Sequence, residues 1–134
     1  MKYLLIVMVA ISFLHAGFLN DLGIQKKDNI EKAKKLYPYY NELPDLSTLY
    51  VQNCKIGKYE VKSMSIQYKD TVIEKIVIFV KYEHNRQFVD LYNDIYKSLG
   101  KPCDLFKASL VWITKQYRFE ISIFEEKSII ISME

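Results

Sequence analysis

Between residues 17 and 134, two cysteines, Cys54 and Cys103, and one histidine, His84, are the side chains best suited to nucleophilic, redox or metal chemistry. Two thiols and one imidazole fall short of the four soft ligands that a structural zinc site needs. His84 stands beside Glu83 with no second histidine to pair with. An exposed residue at a helix start is the favoured reading over a general base. Glu125 and Glu126 are adjacent carboxylates. Neighbouring side chains on a turn point apart, which suits a charged hairpin tip rather than an acid–base pair. The chain has no clustered glycines for a phosphate loop, no G-x-S-x-G elbow and no His-x-x-x-His pair. These residues imply no catalytic site, no metal and no cofactor, so the expectation is a protein that is not an enzyme.

What the cysteines do depends on the compartment, and the first sixteen residues address that. Lys2 forms a short positive n-region, Tyr3 to Leu14 is apolar except for Ser12, and Leu14-His15-Ala16 ends on a small residue. This is the layout of a secretory signal peptide. Its apolar stretch is too short for a membrane span, which needs about 20 residues. Cleavage after Ala16 is expected, leaving residues 17–134 as a single domain. No cysteine follows the small residues, since Ala16-Gly17 leads into Phe18. A lipid anchor is therefore not expected, and the reading is a soluble periplasmic protein. In such a protein an even cysteine count suggests a Cys54–Cys103 disulfide, worth roughly 4 kcal/mol in the chain-entropy model. Two buried free thiols are the rival reading.

The formal net charge is +3, or +2 once Lys2 is removed. That balance gives no argument for nucleic acid. Eleven tyrosines and seven phenylalanines are many for this length. Tyr can fill half-buried positions with its hydroxyl in water, or it can line a protein-binding surface. Tyr37, Tyr39, Tyr40, Trp112 and Ile130 are the candidates for such a surface. For Trp112 a place in the core is the competing reading.

The elements that position these residues follow from periodicity. Asp28 reads as an N-cap, with Ile30, Ala33, Leu36 and Tyr37 at helical spacing and Pro38 as the stop. Lys27, Lys32, Lys34 and Lys35 make the rest of that helix basic, a solvated face or a weak attachment to an anionic membrane surface or acidic partner. Residues 38–53 read as irregular loop. From Lys58 to Tyr82 the period becomes two: Met64, Ile66 and Tyr68 form one strand, and Ile76, Ile78, Val80 and Tyr82 face one way on the next. Lys69-Asp70 joins them as a hairpin. Phe88, Leu91, Tyr92, Ile95, Tyr96 and Leu99 then mark a helix capped by Asn85 and ended by Gly100 and Pro102. Three strands follow: Ser109 to Thr114, Arg118 to Phe124 and Ser128 to Met133. The fold class is α+β: an N-terminal helix, then β-β-α-β-β-β, an antiparallel sheet with helices packed on one face.

Two groups of residues carry a resemblance. Tyr96-x-x-x-Gly100-x-Pro102, then Trp112, then Phe119-x-Ile121-x-Ile123 resembles small exported bacterial α+β proteins. Leu22-Gly23-Ile24-Gln25-Lys26-Lys27-Asp28 is similar to the helix opening of outer-membrane-assembly lipoproteins and of domains like the β-lactamase inhibitor protein. The resemblance implies a helix-on-sheet binding or accessory module and brings no catalytic residues. The functional expectation is a periplasmic protein-binding module, an envelope accessory factor or an inhibitor or immunity protein. The alternative is a binder of a small ligand or cell-wall fragment, with an enzyme such as a hydrolase the least favoured. The terminal strand, with Ile130, is expected to accept a partner strand if it lies at the sheet edge.

Overall fold

The structure is a computed structural model that describes residues 17–106, 109–124 and 128–134. The proposed signal segment and the Glu125–Lys127 turn lie outside the described residues. Among the described residues three helices, α1 (Gly17–Leu22), α2 (Ile30–Leu36) and α3 (Asn85–Leu99), accompany eight strands. The strands are β1 (Tyr40–Leu43), β2 (Thr48–Ile56), β3 (Tyr59–Lys69), β4 (Val72–Lys81), β5 (Asp104–Phe106), β6 (Ser109–Ile113), β7 (Arg118–Phe124) and β8 (Ser128–Met133). They form one antiparallel sheet in the order β1-β2-β3-β4-β8-β7-β6-β5.

The α+β class and the antiparallel sheet stand, but four strands precede α3 and four follow it, not two and three. The stretch 38–53, expected to be loop, holds β1, a 3-10 turn (Pro44–Leu46) and most of β2. The helix α1 was not anticipated. At α2 the cap is Asn29, whose side chain accepts the Glu31 N–H at 2.9 Å, while Asp28 accepts the Gln25 N–H instead. At α3 the N-cap is His84, not Asn85, and the Gln87 side chain accepts the His84 N–H at 3.2 Å.

Period-two alternation makes one face of the sheet apolar. Val61, Met64 and Ile66 of β3, Ile76, Ile78 and Val80 of β4, Ile129, Ile131 and Met133 of β8, and Phe119 and Ile121 of β7 are all buried. Phe18 and Leu22 of α1, Ile30 and Ala33 of α2, and Leu91 and Ile95 of α3 join the same hydrophobic cluster. The Phe18 ring meets Tyr59 edge-on at 5.8 Å. Gly57 turns β2 into β3 at φ +58, a left-handed conformation that favours glycine, and a Cβ there would lie 2.3 Å from an Asp21 carboxylate oxygen, so that side chain would have to shift. The β3–β4 turn puts Asp70 and Thr71 at positive φ. Thr71 is β-branched and ill suited to that conformation. Its carbonyl accepts the Ile30 N–H at 2.7 Å, and Ile73 N–H reaches Asp28 O at 2.8 Å, so the α2 start holds the hairpin tip in place.

Two expectations are overturned by strand order. Cys54 and Cys103 are free. Cys54 lies on β2 and Cys103 leads into β5, six strand steps apart. At about 4.8 Å per step the separation along the sheet is on the order of 29 Å, against a limit of roughly 7 Å between the Cα atoms of a bridged pair. Likewise β8 is not an edge: it pairs with β4 on one side and β7 on the other. Ile130 sits opposite Phe79 and Ser122 and its backbone cannot accept a partner strand.

Candidate functional site

The one edge of the sheet with side chains described throughout is β1. Pro38 precedes it and Pro44 follows it, and neither carries an N–H. Tyr40, Asn41, Glu42 and Leu43 pair with Val51, Tyr50, Leu49 and Thr48 of β2. Among the described residues no strand neighbours their other flank.

Glu42 fastens this strand to the body of the protein. Its carboxylate accepts a hydrogen bond from the Tyr68 hydroxyl at 3.0 Å and lies 3.5 Å from Lys34 Nζ on α2. Lys34 also lies 3.5 Å from Glu31 and sits over the Tyr40 ring, 5.8 Å from its centre. Partial desolvation works against the Lys34 charge, but the Glu31 and Glu42 carboxylates outweigh it and hold its pKa above the ordinary lysine value. For Tyr68 desolvation acts in the opposite sense and, with the hydrogen bond to Glu42, raises its pKa.

Around this framework four large apolar side chains are exposed among polar neighbours such as Lys35, Asn41 and Asp45. Leu36 is 50 % exposed, Tyr39 91 %, Leu43 40 % and Leu46 69 %. These make up half of the eight large hydrophobic residues that are exposed among the described residues, gathered within residues 36–46. Scattered exposed hydrophobes are ordinary, whereas a concentrated group beside an open strand edge is the mark of an interaction surface.

Of the five residues singled out from sequence, Tyr39 and Tyr40 belong to this edge. Tyr37 is half-buried, and its hydroxyl donates to Leu22 O at 2.7 Å, tying α2 to the end of α1. Burial, with lesser contributions from Cys54 and Asp21, pushes the Tyr37 pKa well above the usual tyrosine value. Trp112 is in the core, not on a binding surface, and Ile130 lies mid-sheet. Leu36, Asn41, Leu43 and Leu46 were missed. The signal that marks them is a Tyr- and Leu-bearing run between two prolines.

A second concavity of about 420 Å³ lies against α3, lined by Phe88, Val89, Tyr92, Pro102 and Leu110 with Lys101 and Cys103. Val89 and Tyr96 are exposed on the same helix. His84 is exposed at the α3 N-cap, and Glu83 beside it is ion-paired with Lys81 at 3.2 Å. Among the described residues no group of three or more His, Cys, Asp or Glu side chains is placed to hold a metal, and no helix is long and apolar enough to cross a membrane. No protein-family model, curated protein or solved structure matches this chain.

Proposed function

We propose that this chain is a non-enzymatic protein-binding module, exported to the periplasm, that engages its partner through the β1 edge. The observation that supports this most is the concentration of exposed Leu36, Tyr39, Leu43 and Leu46 around a strand paired on one flank only. Strand addition needs backbone groups free to pair and side-chain contacts that fix register, and this edge offers both. In this reading the helices cover one face of the sheet and serve as scaffold, and no step calls on His84.

The test compares capture of an envelope protein by immobilised wild type and by surface variants. Tyr39→Asp and Leu46→Asp should lose the partner. Ile113→Asp, at a residue 64 % exposed on β6, should keep it. His84→Ala should keep affinity within about threefold, under ~1 kcal/mol. Equal capture by wild type and both edge variants would remove the reading.

The cleft beside α3 favours a second reading, a binder of a small apolar ligand, because an apolar concavity with few polar groups is the usual form of such sites. Val89→Arg should abolish ligand binding there without affecting capture at the β1 edge.

A further inference from the structure

We infer that the occupant of the β1 edge is a second copy of this chain, paired antiparallel about Asn41. This rests on the reading of β1 as a docking edge and names its partner. Pro38 and Pro44 stand three residues to either side of Asn41. Because neither can donate to a ladder, they confine pairing to residues 39–43, with Asn41 at the centre.

A two-fold axis normal to the sheet keeps each face of one copy continuous with the same face of the other. Centring the axis on Asn41 sets Asn41 against its own copy, Tyr40 against Glu42, and Tyr39 against Leu43. Pro38 then falls opposite Pro44, outside the paired run. Whichever alternate set of backbone groups points outward, it meets its own set across the axis: 39, 41 and 43 pair among themselves, and so do 40 and 42. Centring on Glu42 brings two carboxylates face to face and sets Pro44 against Tyr40. Centring on Tyr40 sets Pro38 against Glu42. The Asn41 register alone avoids both faults.

The side chains agree with that register. Tyr39, 91 % exposed, covers the second copy's Leu43, 40 % exposed, and the reverse contact repeats it. On the other face Glu42 comes beside the second copy's Tyr40, over whose ring Lys34 lies 5.8 Å from the centre. Each carboxylate therefore approaches the opposite copy's ammonium, a complementary arrangement that the two-fold axis doubles. The four residues of β1 with Tyr39 before them make a small contact, in the range of interfaces under about 1,200 Å² that form weak, reversible assemblies. The dimer is accordingly expected at tens to hundreds of micromolar rather than at nanomolar concentration.

The experiment uses the full chain in a Cys54→Ser/Cys103→Ser background. Sedimentation velocity from about 5 to about 500 µM should show a reversible monomer–dimer shift, and Tyr39→Asp should raise the dissociation constant at least about tenfold. Asn41→Cys places two thiols across the axis at a Cα separation of about 4.5–5.5 Å, which a disulfide spans. With oxidised glutathione as oxidant, two thiols give up two electrons and two protons to form one intermolecular S–S bond, and one glutathione disulfide becomes two thiols. Asn41→Cys should cross-link several-fold faster than Glu42→Cys, whose thiols are offset from one another. A chain that stays monomeric throughout, or equal cross-linking of the two variants, overturns the dimer. If it stays monomeric while Tyr39→Asp still loses a captured partner, the dimer falls and the docking edge stands. If Tyr39→Asp changes neither, both fall.

Discussion

The indole Nε1 of Trp112 donates to the carbonyl of Gly100 at 2.8 Å, joining β6 to the residue that ends α3. Gly100 takes φ +79 and returns its own N–H to Tyr96 O at 2.8 Å. The same indole is 1 % exposed and lies between the rings of Tyr92, 6.1 Å away, and Phe119, 6.0 Å away. The only tryptophan is thus the pin between helix end and sheet. Trp112→Phe keeps an aromatic ring but leaves the Gly100 carbonyl without that donor. It should cost about 1–3 kcal/mol in urea unfolding, and Trp112→Ala about 3–5 kcal/mol.

The buried stripe of α3 gives a sharper contrast. Leu91 and Ile95 are fully buried, while Tyr96 on the same helix is 48 % exposed. Leu91→Ala and Ile95→Ala should each cost about 2–5 kcal/mol, because a cavity is left in a close-packed core. Tyr96→Ala should stay within about 0.5 kcal/mol. Equal losses at all three positions would mean that the Tyr96 ring, 6.0 Å from that of Tyr92, contributes as much as a buried core side chain.

The thiols provide a chemical check. Thiol labelling of the denatured, unreduced monomer should find two reactive cysteines. In the native protein Cys103, which is exposed, should react first. Cys54 is half-buried on β2, and burial pushes its pKa up, which lowers the thiolate fraction that attacks the reagent. A rate ratio of at least about tenfold is expected at neutral pH. Equal rates would mean that β2 opens readily at its Cys54 end.

The sequence made α3 and the strands β3, β4, β7 and β8 legible because each holds its period over a run long enough to read, although the β3–β4 register shifts between Val61 and Ser63 and again between Gln67 and Tyr68. The strand β2 escaped for a specific reason. Leu49 and Val51 face inward, but Asn53 takes φ 51 and is skipped in the pairing, so the next inward residues are Cys54 and Ile56. The register with β3 does not shift there, since Gln52 opposite Ser63 and Cys54 opposite Val61 stay in step, so the irregularity is a local twist at one left-handed residue; it reverses the inward alternation halfway along the strand, and a period-two reading fails across it. The strand β1 has no buried residue to set a pattern, and its flanking prolines resemble those of a loop. Strand order is a longer-range matter. The chain's last strand inserts between β4 and β7, and nothing local to Ser128–Met133 distinguishes a central strand from an edge. That placement separates the cysteines and removes Ile130 from the edge. It also leaves β1, with Tyr39 and Tyr40 already among the candidates, at one edge and β5 at the other.

The pH dependence of stability should reveal the Tyr59–Asp94 bond. The Tyr59 hydroxyl donates to an Asp94 carboxylate oxygen at 2.9 Å, linking β3 to α3. Its ring is buried against Phe18. Burial comes first in raising the Tyr59 pKa, followed by the hydrogen bond and charge of Asp94 and by the charges of Asp90 and Asp21. All of these disfavour phenolate in the folded state. In the unfolded chain the group titrates near its ordinary value of about 10. A folded-state pKa raised above the unfolded one contributes stability that is fully present below pH of about 10 and is lost progressively as the pH rises above it. The folded protein must then either hold a neutral phenol that the unfolded chain has ionised, or bury a phenolate beside a carboxylate. Tyr59→Phe cannot ionise, so its stability should fall less steeply with pH above about 10, although it starts lower at pH 7 by about 1.5–3 kcal/mol for the lost bond to a charged acceptor. Asp94→Asn removes the negative acceptor but keeps the phenol buried, so its alkaline slope should lie between wild type and Tyr59→Phe. Urea midpoints measured at intervals from pH 7 to pH 11 would check this ordering. An alkaline slope in Tyr59→Phe as steep as in wild type would assign the loss to other tyrosines, with Tyr37, also raised by burial, the first to examine.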